Sequence, residues 1–161
     1  MGDGPFPTQL SDDVGKKIRD NGKEYGSTTG RPRRCGWLDV VLLKYACQLN
    51  HVTELAMMKL DVLSKLQSLR VCVGYELDGQ PLTHVPTHCL ELERAIPKYW
   101  EGEGWSEDLG SLTKVNQLPK VAREYIDNIE EWVGVPITIV SVGPDRSQTL
   151  TRKSSKIFSS Q

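Results

Sequence analysis

The sequence predicts an α/β layer architecture with a largely parallel sheet, and three observations lead there. Helical apolar stripes alternate along the chain with short apolar strands. Two of those strands, "LAMMKL" and "VPITIV", are almost continuous apolar runs, the pattern of a strand covered on both faces. Each is followed at once by polar, turn-forming residues, which is where open α/β sheets place their ligands.

The elements follow in order. Ser11 with Asp12 and Asp13 offers an N-cap and an acidic first turn for a short helix through about Asp20, which "DNG" ends. A glycine- and arginine-rich stretch, "YGSTTGRPRRCGWLD", comes next and has neither helical nor strand periodicity. From Leu38, apolar positions recur at Val41, Leu42, Tyr45, Ala46 and Leu49, with Asp39 near the start to suit the helix dipole; Val40, Leu43 and Cys47 fill further positions, so most of this helix is expected to be buried. "SLRVCVGYEL" alternates, with Leu69, Val71, Val73, Tyr75 and Leu77 on one face, and Asp78-Gly79 turns it into a hairpin. Residues 81–118, punctuated by Pro81, Pro86 and Pro97, form an excursion with a short helix near Leu90 and a strand near Tyr99. Pro119 suits a first helical residue; Ala122, Tyr125, Ile126, Ile129, Trp132 and Val133 then make a stripe opposed by Lys120, Arg123, Glu124, Asp127, Glu130 and Glu131. "VPITIV" delivers "SVGPDR" to a loop, and residues 150–161 carry no pattern and read as a disordered tail.

At 161 residues the chain falls in the range of one domain that buries a core without staples. Lys plus Arg number 20 against 21 Asp plus Glu, a formal charge of -1, so no global field draws it to nucleic acid or to a membrane surface. No apolar run approaches the ~18 residues that span a bilayer. The four cysteines, Cys35, Cys47, Cys72 and Cys89, form no C-x-x-C pair and read as reduced thiols of a cytoplasmic protein. The opening "MGDGPFPTQL" is turn chemistry with nothing to connect and reads like the inside of a longer chain.

The chemistry gathers in three places. Lys59-Leu60-Asp61 sets a cation and a carboxylate two positions apart, and at an extended strand end both leave on one face. An ionised carboxylate accepts two parallel N–H bonds, as guanine presents, while a lysine stem covers the flat base; adenine lacks that donor pair. A solvated lysine and a helix-capping aspartate are the plain alternative. Ser141, Val142 and Gly143 supply a hydroxyl and a close-approach glycine for a purine edge or ribose, or simply a strand-end turn. Thr28, Thr29 and Gly30 offer N–H groups and hydroxyls, and Arg31, Arg33 and Arg34 offer planar forks for carboxylate or phosphate, or else a solvated surface loop. Neither a dinucleotide fingerprint nor a Walker loop occurs. His84, His88 and Cys89 with Glu91 and Glu93 match no zinc spacing, so no metal site is expected.

Taken together, "GPFPTQL", "EYGSTTGRPRRCGWLD", "MKLDVL" and "SVGPDR", in this order and at these separations, resemble the carboxyl-terminal portion of adenylosuccinate synthetase from about Gly4 to Thr149. The resemblance implies the carboxyl-terminal part of a P-loop-NTPase-like nucleotide-binding fold. It implies a cytoplasmic homodimeric ligase of AMP biosynthesis that joins IMP and L-aspartate at the expense of GTP, with Mg2+. By the same resemblance Ser27, Thr28, Thr29, Gly30, Arg31, Pro32 and Arg33 form the aspartate loop, Arg31 also touching IMP and Arg33 the GTP side. Lys59, Leu60 and Asp61, with Ser141, Val142 and Gly143, form the guanine contacts. The family's phosphate loop, catalytic aspartate and catalytic histidine, and the Mg2+ ligands, match nothing here. No catalytic residue is therefore expected in this chain, and alone it is not expected to turn over. A truncated paralogue serving as a GTP-binding or dimerisation module is the alternative. Met58 stands where the family usually has threonine.

Overall fold

The computed structural model describes residues 4–86 and 88–152, which divide into two units. The first comprises residues up to Tyr45 together with Arg70–Trp100; the second comprises Ala46–Leu69 and the residues from Glu101 onward. The chain is α/β as expected, but its parallel pairs sit in two small mixed sheets.

In the first unit, α1 (Asp13–Gly22) is capped by Asp12, not Ser11: the Asp12 side chain accepts from the Gly15 N–H at 2.9 Å. The helix ends in Lys23, which takes the left-handed conformation at φ 51 and closes on the last turn's carbonyls. The segment before α1 lies antiparallel to residues 35–37. The Trp37 N–H donates to the Thr8 carbonyl at 3.1 Å, and the buried Thr8 hydroxyl returns a bond to the Trp37 carbonyl at 2.8 Å. Gly36 has to be glycine here, since a Cβ would meet the Thr8 carbonyl oxygen at 2.3 Å.

β1 (Leu38–Asp39) pairs in parallel with β3 (Ser68–Leu77), Leu38 opposite Val71 and Asp39 opposite Cys72. β3 turns through Asp78 and Gly79, both at positive φ, into antiparallel β4 (Gln80–Leu82), which confirms the hairpin. α2 (Val40–Leu49) starts on a carboxylate: Asp39 Oδ1 accepts from the Leu42 N–H at 3.0 Å, and Oδ2 accepts from the Tyr75 hydroxyl at 2.6 Å. Val41, Cys72, Tyr75 and Ala95 pack around this bond, with α3 (Cys89–Arg94) and β5 (Ile96–Glu103) adding Leu92 and Tyr99.

Two burial expectations fail here. α2 is buried only at Val40, Val41 and Cys47, while Tyr45 and Leu49 stand exposed at 48% and 61%. Its apolar positions encircle the helix, and the described residues cover one side of it. The alternation in β3 also breaks, because Cys72 is buried and Val73 exposed.

In the second unit, β2 (Leu55–Met57) runs parallel to β6 (Ile137–Ser141), with Met57 opposite Val140, and β7 (Thr149–Thr151) joins the other side of β6 antiparallel. Among the described residues β2 is thus an edge strand, with Ala56 exposed and Met58 exposed just after it, and is not covered on both faces. α4 (Lys120–Val133) follows Pro119, which caps it, and stops at Gly134 at φ 76. Its predicted stripe is buried: Ala122, Tyr125, Ile126, Ile129 and Val133. Tyr125 meets Trp105 edge-on at 6.0 Å, and the Trp105 indole N–H donates to Ser64 at 3.1 Å.

Glu130 departs from the expected polar face and is fully buried. Its Oε2 accepts from the Ile137 N–H at 2.7 Å and from Arg152 at 2.8 Å; Arg152 also pairs with Asp127. Residues 150–152, expected in the tail, therefore belong to the fold: Leu150 is buried in β7, and Arg152 sits over a carboxylate that needs it. The remainder of that expected tail, residues 153–161, lies outside the described residues. The four cysteines are free thiols, as expected, and only Cys89 is exposed.

Two outcomes follow. Arg152→Met strands the Glu130 charge and is expected to lower stability by about 3–5 kcal/mol in urea unfolding, with Glu130→Gln added to it restoring part of the loss. Burial, and then the nearby Asp39 charge, push the Cys72 thiol up from 9.0 to about 12. The unfolded chain releases that proton above pH 9 and the folded chain holds it, so the urea midpoint should fall as pH rises from 9 towards 12, less steeply in Cys72→Ala.

Candidate functional site

The arginine-rich stretch of the first unit is a hairpin excursion rather than a featureless loop. Tyr25 bridges Pro32 antiparallel, the Gly26 N–H donates to the Arg31 carbonyl at 2.9 Å, and the Arg33 N–H donates to the Glu24 carbonyl at 3.0 Å. The tip closes where the Gly30 N–H donates back to Gly26 at 2.9 Å, with Gly30 at φ 65, a conformation that disfavours any side chain. The Tyr25 hydroxyl donates to Asp20 of α1, and that bond holds its proton above the usual tyrosine range.

The three arginines differ in what they have left to offer. Arg33 is paired with Glu24 at 3.0 Å, and its carbonyl accepts from the Arg19 Nε at 2.8 Å. Arg34 donates to the Gly4 carbonyl at 2.7 Å and stacks on Phe6, its guanidinium carbon 5.5 Å from the ring centroid. Arg31 stands exposed at the tip beside Ser27, Thr28, Thr29 and Gly30. The structure thus holds two of the forks as braces of the hairpin and presents the third.

In the second unit the register of β2 and β6 sets Lys59-Leu60-Asp61 and Ser141-Val142-Gly143 at the same carboxyl edge, because Met57 faces Val140. The parallel pairing therefore gathers the two weak tripeptides at one place. Their geometry differs from an extended strand end, however. Lys59 is left-handed at φ 61 and ψ 39, and residues 60–63 form a 3₁₀ turn. Leu60 is buried at 1% exposure and anchors the turn. Asp61 does not cap it with its side chain. Its Oδ1 is buried and has no hydrogen-bond partner among the described residues. A carboxylate oxygen removed from water without a donor is destabilising by about 1–3 kcal/mol or more, so this atom has much to gain from an N–H.

Ser141 and Gly143 match the strand-end turn that the sequence offered as the plain alternative. The Ser141 hydroxyl donates inward to the Gly143 carbonyl at 2.9 Å. The side of Gly143 where a Cβ would stand is filled by the Gln148 carboxamide, whose oxygen would lie 2.2 Å from it. A methyl group there would have to displace that hydrogen-bonded carboxamide, and the Val142 N–H donates to the Gln148 carbonyl at 2.9 Å. Gln148 had no signal in the sequence, being one polar residue in a polar loop. Among the described residues no group of three or more His, Cys, Asp or Glu could hold a metal ion.

The family model for adenylosuccinate synthetase matches residues 1–150 of the chain. The adenylosuccinate synthetases of Christiangramia forsetii and Thermoplasma volcanium are 53% and 52% identical to it over 152 and 154 residues. Those matches take in 94% and 93% of this chain. The solved structure of fully ligated adenylosuccinate synthetase from Plasmodium falciparum superposes with a TM-score of 0.90 at 39% identity, covering 95% of this chain and 37% of that one. The chain spans 36% and 35% of the length of those two curated relatives. A family model matched over nearly the whole chain, with relatives at about half identity, leads to one assignment: the chain belongs to the adenylosuccinate synthetase family.

Proposed function

We propose that this chain supplies the guanine pocket and the aspartate loop of an adenylosuccinate synthetase, the GTP-dependent ligase that joins IMP and L-aspartate. The observation that carries the reading is the buried, unpartnered Asp61 Oδ1 at the carboxyl edge shared by β2 and β6. A guanine edge brings two parallel N–H donors to such a carboxylate, whereas adenine turns a lone pair towards it. The Lys59 stem covers the base, and Ser141, Val142 and Gly143 border it from the neighbouring strand end. In the first unit, Arg31 and the hydroxyls of Thr28 and Thr29 receive a dicarboxylic amino acid, with Arg31 also reaching IMP. Arg33, through its pair with Glu24, holds the loop on its GTP side.

These groups bind and orient; none of them moves a proton or takes part in phosphoryl transfer. The same pocket in a chain that does not turn over would be a GTP-binding module. Formation of adenylosuccinate from GTP, IMP and aspartate by the purified 161-residue chain separates the two roles, and none is expected.

Two further outcomes test the binding residues. Calorimetry should show GTP preferred over ATP, with Asp61→Ala losing about 10- to 150-fold of GTP affinity and leaving ATP unchanged. Equal binding of the two nucleotides by the unsubstituted chain would sink the guanine reading. Arg31→Ala should weaken L-aspartate binding about tenfold without shifting the GTP isotherm, and an unchanged aspartate titration would remove the loop from the site.

A further inference from the structure

We propose that Gln148 is the positioning residue of the purine edge, an inference that rests on the guanine reading of Asp61 and its neighbours. Its carboxamide is held at both ends: Nε2 donates to the Gly110 carbonyl at 2.9 Å, and Oε1 accepts from the Asp145 N–H at 3.0 Å. Its own carbonyl accepts from the Val142 N–H at 2.9 Å. The amide thus spans the chord of the 142–148 loop and ties it to the segment around Gly110.

Gly143 is fixed between two contacts. Its carbonyl receives the Ser141 hydroxyl, and its α-carbon lies against the Gln148 amide, which a methyl group could enter only by breaking the amide's two hydrogen bonds. The φ of Gly143 does not demand glycine, since the positive-φ glycines are Gly30, Gly79 and Gly134. What excludes a side chain at 143 is Gln148 itself. The residue touches no reacting atom. It sets where the Val142-Gly143 backbone stands, beside the turn that carries Asp61, and through that backbone it acts on base selectivity.

Calorimetry of the 161-residue chain with GTP and ATP tests this. Gln148→Ala should weaken GTP about tenfold and lower the ratio of GTP to ATP affinity, while ATP binding stays as it was. Gln148→Glu keeps the acceptor for Asp145 and loses the donor to Gly110. It should reproduce that loss at pH 8 with little change in thermal midpoint, which separates positioning from unfolding. Gly143→Ala should weaken GTP more than about tenfold alone and add nothing in the Gln148→Ala background, because the clash goes with the amide. An unchanged GTP-to-ATP ratio in both Gln148 variants, or fully additive losses in the double variant, overturns the proposal while leaving the guanine reading intact. A chain that shows no GTP preference before substitution overturns both.

Discussion

A charge with nowhere else to go organises the second unit. Glu130 lies on α4 with no exposure to solvent, and its carboxylate is compensated by one backbone N–H from β6 and one guanidinium from beyond β7. Losing Arg152 would leave that ion without its guanidinium in a low-dielectric interior, so helix, central strand and the residue that follows β7 are fixed as a set. β6 cannot slide without abandoning Glu130. β6 so held is the strand on which β2 lays its parallel register, setting Asp61 and Gly143 at one carboxyl edge.

The first unit uses the same device at smaller scale. Asp39 follows directly on the arginine hairpin and is nearly buried, with one oxygen capping α2 and the other accepting from Tyr75. A buried carboxylate so engaged gives the chain a fixed point immediately after its most exposed segment. The hairpin gains a second anchor in the Thr8 to Trp37 exchange and a third in the Arg33 to Glu24 pair. The hairpin is thereby braced at its base while Arg31 stands exposed at its tip.

What was legible in the sequence was what depends on near neighbours. The stripe of α4 and the Asp78-Gly79 hairpin are written in spacing and turn chemistry, and they stand as expected. Glu130 was illegible because it sits next to Glu131 on an amphipathic helix, and the partner that makes its burial tolerable is 22 residues away. The openness of β2 and of one side of α2 was illegible for a related reason. Apolar composition says that a segment can be covered, and only the tertiary arrangement says whether it is. At the candidate site the residue types were readable and their geometry was not. Lys59 and Asp61 read as an extended pair, yet a left-handed residue stands between strand and turn, and Ser141 and Gly143 face inward.

That left-handed lysine sets stability and recognition against each other at a single position. A residue with a Cβ at φ 61 is strained by about 1–2 kcal/mol, and glycine would relieve the strain. Glycine at 59 would gain that energy for the fold, yet it would also remove the long cationic side chain with which the proposed guanine pocket covers its base.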